Sequence, residues 1–366
     1  MNKSQIFAPL EIPGKLRLRN RLVMAPMTTT AGETDGRFSL QEIAYLEQRA
    51  GDGIGMIITP ACYCHKSGYA FERQVGCHTD EMIPRLKTCA EAINRHGAAS
   101  FLQIHHGGNA ARERYTGHPP WAPSAVRNRR GTSEMPQAIT EQQIQTVIEA
   151  FGQAARRAKE AGFTGIEIHG ANTYLLQQFF SPYTNKRTDR WGAQTMENRC
   201  RFAMAVLTAV RAAVGPDYPV SYRLSPEEEE PDGYSVYDAV ELLKHLVPLG
   251  VDLIHVSSWQ YGTALRPDCP AGTHPTRLIK EAFPDIPVIG VGGLVFPEDV
   301  ERVLEDGVEL AALGKVLLLN ADWVAKVTSG RAREIRTRAS TREEIAQLDI
   351  PPLMKTYCEK FFLPGK

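Results

Sequence analysis

Short apolar, β-branched runs recur along this chain, and each is followed by a longer stretch whose apolar positions return every three or four residues. Eight runs read as strands: LVMAPM (Leu22 to Met27), GMIITPA (Gly55 to Ala61), ASFLQIHH (Ala99 to His106), GIEIHG (Gly165 to Gly170), PVSYRLS (Pro219 to Ser225), LIHVSS (Leu253 to Ser258), PVIGVGG (Pro287 to Gly293) and LAALGKVLL (Leu310 to Leu318). The intervening stretch TEQQIQTVIEAFGQAARRAKEAG places Ile144, Val147, Ile148, Phe151 and Ala155 on one helical face, with Thr140 as N-cap and Gly162 as the C-terminal stop. Strands alternating with helices predict a parallel sheet, because each crossover needs a helix to return the chain. Eight such units predict a closed (β/α)8 TIM barrel. The alternative is an open doubly wound sheet, which opens with a glycine fingerprint after its first strand; here that position holds MTTTAGETDGRF.

Two segments stand apart from this repeat. Arg112 to Gln137 is rich in Arg and Pro and too irregular for a barrel wall, so it is expected to be an excursion over the mouth. After Gly330 a basic and then apolar stretch follows, which divides the chain into a barrel over 1–330 and a helical tail over 331–366 packed on its outside.

Composition narrows the function classes. The 366 residues carry 42 Lys plus Arg against 42 Asp plus Glu, so no global field recruits nucleic acid or an anionic membrane. The first residues lack a continuous apolar core of a signal peptide, and no later run reaches bilayer-spanning length, so the expected location is cytoplasmic. Seven cysteines form neither a disulfide framework nor a zinc spacing; Cys62 and Cys64 are one residue apart.

In a (β/α)8 barrel the chemistry gathers at the carboxyl ends of the strands, and here those ends are polar. The first strand leads to Thr28, the third carries Gln103, His105 and His106, the fourth ends in His169, the fifth holds Arg223 and the sixth closes on Ser257 and Ser258. Together they predict a polar ligand held at one end. The seventh and eighth strands add Gly292 and Gly293, then Gly314 and Lys315, where backbone N–H groups and a cation suit a phosphate. A metal-dependent hydrolase built on His105, His106 and His169 is disfavoured, because adjacent strand residues face opposite sides of the sheet.

LRLRNRLVMAPMT, IHGANTYLLQQFFSPYTNKRTDRWG and GVGGL with GKVLL resemble the Old Yellow Enzyme family of FMN-dependent ene-reductases, also called the NADH:flavin oxidoreductase family. The likeness runs from about Pro9 to about Trp323. It implies an FMN-binding barrel with NAD(P)H as reductant, in which Ala25, Pro26 and Thr28 border the flavin, Thr28 near its C4 carbonyl. Ala61 and Gln103 would bind the pyrimidine edge, Arg223 would sit beside the N1 and C2 region, and Gly292, Gly293, Gly314 and Lys315 would hold the phosphate. Lys315 departs from the arginine common in the family, replacing a fork by a point charge.

The resemblance also implies roles for the residues closing the fourth strand. His169 and Asn172 match the pair that binds the oxygen of an electron-poor alkene, and Tyr174 matches the proton donor. SPYTNKRTDRWG is read as scaffolding. The larger iron–sulfur members of the family are disfavoured by the missing cysteine run. The expected activity is reduction of an α,β-unsaturated carbonyl or similar electron-poor C=C bond. Quinone or nitro-compound reduction and a non-catalytic flavin-binding protein are the alternatives, and homo-oligomerisation is left open.

Overall fold

The computed structural model describes residues 5–127, 134–266 and 268–363. Its centre is a ring of eight parallel strands: β1 (Leu22–Met24), β2 (Met56–Ile58), β3 (Ala99–His105), β4 (Gly165–Gly170), β5 (Val220–Leu224), β6 (Leu253–Ser257), β7 (Val288–Val291) and β8 (Leu310–Leu313). Each pairs with the next, and β8 returns to pair with β1 through Ala312 opposite Val23. All eight runs therefore form the closed barrel. Around it lie α1 (Leu40–Asp52), α2 (Ile83–Asn94), α3 (Glu141–Glu160), α4 (Met196–Val214), α5 (Val236–Leu246), α6 (Pro275–Ala282), α7 (Pro297–Glu305) and α8 (Trp323–Thr328). None of the helices among the described residues is long and apolar enough to cross a membrane.

Strand alternation divides the barrel interior into two layers. Val23, Met56, Ile58, Phe101, Leu253, Ile289 and Leu310 fill its lower part, and Leu16 and Leu18 from the hairpin Leu10–Ile12/Leu16–Leu18 plug the bottom. Each such aliphatic side chain contributes about 1.5–3 kcal/mol when fully buried. Further along β3 to β6 the inward positions turn polar: Gln103, Glu167, Ser221, Arg223 and His255 are all buried, whereas Ala25 and Ala312 keep β1 and β8 apolar there. The oily plug thus supports a polar upper layer at the carboxyl ends.

The wall follows ordinary helix chemistry. In α3 the Thr140 side chain accepts from the Gln143 N–H while Gln143 reaches back to Thr140, and Ile144, Val147, Ile148, Phe151 and Ala155 are buried as one face. Three strand ends fall at least three residues short of expectation, among them that of β2, which stops at Ile58 before Pro60. β1 stops at Met24, before Pro26, which has no N–H for a ladder. The eighth strand stops at Leu313, and Val316–Leu319 coils into a short helix, so Gly314 and Lys315 lie on the connection rather than within a strand. An unbroken apolar run has no period to separate buried strand from buried helix.

Beyond Gly330, helices Arg342–Ala346 and Pro352–Phe362 contribute Ile345, Met354 and Cys358 to the same buried cluster as α1 and α2. Arg49 of α1 ties this region in, donating to Leu317 O at 3.0 Å and to Asp349 O at 3.4 Å. The irregular stretch after β3 contains a short helix, Glu113–Thr116, and a parallel pairing of Trp121–Ala122 with Gln137–Ala138. Its residues 128–133 lie outside the described residues.

Candidate active site

The polar layer is organised around one carboxylate. Glu167 on β4 is fully buried and accepts from Gln103 Nε2 at 2.8 Å, Ser221 Oγ at 3.0 Å and His255 Nδ1 at 2.7 Å. Burial pushes its carboxyl up, but His255, Arg223 and Gln103 more than offset that and hold it below the usual carboxylate range. His255 is held below the ordinary imidazole value by burial and by Arg223, against the pull of Glu167. A neutral imidazole donating from Nδ1 to an anion fits both directions. Arg223, one strand over, supplies a compensating cation, and its Nη2 donates to Ser257 Oγ at 3.0 Å. Sequence reading missed Glu167 and His255; the only signal was a charged or polar residue at an inward position of each strand.

Above this layer β4 closes on His169 and Gly170 and turns sharply. The Ala171 N–H donates to His169 Nδ1 at 3.3 Å, which leaves the proton on Nε2. Burial, with His105 and Arg223 nearby, holds the His169 pKa well below the usual imidazole value, so the ring is a neutral donor. Tyr174 stands edge-on to His169, with ring centroids 4.9 Å apart, and to His105 at 4.3 Å, with Phe71 at 6.0 Å. Burial pushes the Tyr174 phenol up, opposed by Arg223, so it stays protonated at neutral pH. Asn172 is exposed, and its Oδ1 accepts from Ser257 Oγ at 3.0 Å, which turns its NH2 outward as a donor. Among the described residues nothing bonds the His169 Nε2, the Asn172 NH2 or the Tyr174 hydroxyl.

A cavity of about 490 Å³ opens at this end, lined by Asn172, Tyr174 and Arg223 together with Phe71, Arg112 and Trp259. Glu227 to Glu230 form part of its rim. His169, 3 % exposed, lies beneath Tyr174 and does not line it. Thr28, Ala61, Gln103, Gly292, Gly293, Gly314 and Lys315 also lie outside its lining, round the same end of the barrel. Ala25 meets β8 through its N–H to Leu313 O at 2.9 Å, and Pro26 follows it, half-buried. The Ala61 carbonyl accepts from Gln74, whose NH2 also meets His105 Nδ1 at 3.1 Å. The Lys315 ammonium sits 5.6 Å from the Phe361 ring centre. His106 faces away from the cavity, buried against Ser67 Oγ at 2.9 Å; Asn109 is buried too, so neither lines the mouth.

A flat, acceptor-rich flavin fits what these residues leave open. Arg223 Nε and His105 Nε2 are buried nitrogens with no hydrogen-bond partner among the described residues. With His105 Nδ1 facing the Gln74 NH2, its Nε2 is the protonated atom, so both orphans are donors awaiting an acceptor. Gly292 (φ 144°) and Gly293 (φ 66°) hold backbone conformations that favour glycine, and a Cβ on Gly292 would stand 2.4 Å from Tyr261 N. Backbone N–H groups there can approach an anion closely.

The long motif after this turn is scaffolding. Asn185 Nδ2 donates to Phe179 O and Trp191 O, both at 2.7 Å. Arg187 donates to Ile139 O at 2.7 Å and Pro123 O at 3.2 Å, anchoring the excursion after β3.

Comparison with known proteins agrees with this construction. The sequence profile of the NADH:flavin oxidoreductase / NADH oxidase family matches residues 5–334. A probable NADH-dependent flavin oxidoreductase, YqiG, of Bacillus subtilis is 37% identical over 342 residues, covering 91% of this chain and 90% of that protein. The NADH:fumarate oxidoreductase of Klebsiella pneumoniae is 39% identical over 356 residues; the match covers 94% of this chain but 38% of the relative. Morphinone reductase in complex with tetrahydroNAD superposes with a TM-score of 0.77 at 29% identity, covering 89% of this chain and 91% of that one.

Proposed function

Because the chain belongs to the NADH:flavin oxidoreductase / NADH oxidase family, we propose that this oxidoreductase uses NADH or NADPH to reduce carbon–carbon double bonds conjugated to a carbonyl. FMN, when bound across the strand ends, supplies the hydride chemistry. Arg223 and the His105 Nε2 would meet its acceptor atoms, Gln103 and the Ala61 backbone its ring edge, Ala25, Pro26 and Thr28 its border, and Gly292, Gly293, Gly314 and Lys315 its phosphate.

The observation that carries this reading is the grouping of three unengaged donors at the end of β4 and on the turn after it: His169 Nε2, the Asn172 NH2 and the Tyr174 hydroxyl. Adding hydride to the β-carbon of an enone drives charge onto the carbonyl oxygen. Two fixed donors stabilise that oxygen more as it becomes an enolate than while it is neutral. Both are neutral, so they donate without titrating near pH 7. The Tyr174 phenol, kept protonated by burial, can then deliver a proton to the α-carbon. Fumarate, in the name of one relative, is an electron-poor alkene and points the same way, although this chain spans 38% of that protein.

Tyr174→Phe tests the assignment by separating the half-reactions. In anaerobic stopped flow, reoxidation of the reduced enzyme by 2-cyclohexenone should slow by about 10²-fold or more, while reduction by NADH stays within about twofold of wild type. Equal loss in both steps, or none in either, contradicts the donor role.

A further inference from the structure

The turn carrying Asn172 and Tyr174 is strained. Asn172 (φ 56°) and Thr173 (φ 65°) are consecutive left-handed residues. Asparagine tolerates this region, but for β-branched threonine it costs on the order of 1–3 kcal/mol and persists only where surrounding contacts over-determine it.

Two adjacent glutamines of the short helix Leu175–Phe180 make those contacts. Gln177 Oε1 accepts the Thr173 N–H at 2.8 Å, and Gln178 Nε2 donates to the Thr173 carbonyl at 2.6 Å. Both backbone groups of the strained residue are thus gripped by side chains. Each glutamine is braced in turn. Gln178 Nε2 also donates to Asn109 Oδ1 at 2.7 Å, and its Oε1 accepts from Asn109 N at 3.1 Å. With Gln177 Oε1 occupied, its NH2 must face the other way, where Glu228 Oε1 accepts it at 3.0 Å. The second Glu228 oxygen accepts from Ser181 Oγ at 2.5 Å. Gln177, Gln178, Glu228, Ser181 and Asn109 are at most 5 % exposed.

We propose that Gln177, braced by Glu228 and Ser181, is the positioning residue that holds Thr173 left-handed and so fixes the placement of Asn172 and Tyr174 at the reacting alkene. Gln178 and Asn109 form the second jaw of the same clamp. This assignment rests on the alkene-reduction reading above. Glu228 reaches the clamp from the loop after β5, so the donor and the acid of the reaction are set by an element that contributes neither. A misplacement near 1 Å in such a pair lowers rate by about 10²-fold. Burial pushes the Glu228 carboxyl up to about 7, so a glutamine at 228 imitates its neutral form, accepting from Gln177 and donating to Ser181.

The test uses FMN-loaded wild type, Gln177→Leu, Glu228→Ala and Glu228→Gln, read in two independent ways. Amide hydrogen exchange over residues 170–176 should quicken by about tenfold or more in Gln177→Leu and Glu228→Ala and stay near wild type in Glu228→Gln. In stopped flow the same two variants should lose about tenfold or more in reoxidation by 2-cyclohexenone, with reduction by NADH nearly unchanged, and Glu228→Gln should retain both steps. Unchanged exchange in Gln177→Leu, or equal loss in both half-reactions, overturns the clamp; Gln177→Leu decides even if Glu228→Ala fails to fold. A wild-type enzyme that NADH reduces but the enone does not reoxidise overturns the alkene reading instead, and the exchange data still decide the clamp.

Discussion

Glu42 is a carboxyl buried without a cation beside it. It projects from α1, is 0 % exposed, and one oxygen accepts from Thr29 Oγ1 while the other has no partner among the described residues. Burial pushes its pKa up from 4.5 to about 7, with Thr29 opposing and Glu33 assisting. A folded-state value raised above the unfolded one means that the native state binds the proton more tightly. That stability is complete below the unfolded value and is lost as pH rises through about 7. Glu42→Gln should therefore flatten the pH dependence of unfolding, removing about 3 kcal/mol of the difference between acid and pH 8. Denaturant titrations at both ends of that range measure it, and an unchanged slope contradicts the assignment. The chemistry at residue scale was unevenly legible. His169, Asn172 and Tyr174 could be read because they share one short motif, whereas Glu167 and His255 lie 88 positions apart and meet only through strand register. The Gln177–Thr173 contact depends on a backbone angle that no residue pattern encodes.

At the scale of elements, the strands were legible because each is short, apolar and set off by a helical stretch of different period. The end misread by the most residues was that of β8, where Leu310 to Leu318 offers no polar residue facing a different way before Lys315. Gly292 is an element-scale position with little freedom. Gly292→Ala should destabilise the fold by about 2 kcal/mol or more, from the left-handed angle and the contact with Tyr261 N. It should also weaken FMN binding, since the turn is the proposed phosphate cradle; flavin-fluorescence titration and denaturant unfolding measure the two effects. Thr140→Ala offers a contrast. Losing its capping box should lower stability by about 1 kcal/mol and leave flavin binding and reduction by NADH unaltered, because Thr140 is exposed and lies outside the cavity lining.

For the molecule as a whole, the oily plug and the polar mouth are two ends of one strand alternation. The plug of Leu16, Leu18 and Phe101 fixes the strands from below, and the Glu167 network fixes the polar side chains from within. What remains at the top is a set of donors without acceptors, Arg223 Nε and His105 Nε2 beneath and the His169, Asn172 and Tyr174 groups beside them. That surplus is the physical basis of the proposal that a flavin and then an electron-poor carbonyl compound bind there. Substrate size was not legible, because Arg112, Glu229 and Trp259 line the mouth from loops that follow no periodic rule. The most direct measurement is an anaerobic absorption titration of the purified, FMN-loaded protein with NADH or NADPH followed by 2-cyclohexenone. The account predicts a bound-flavin spectrum that one of the nicotinamides bleaches and the enone restores. A protein that binds no FMN, or one whose bleached spectrum the enone leaves unchanged, would contradict it.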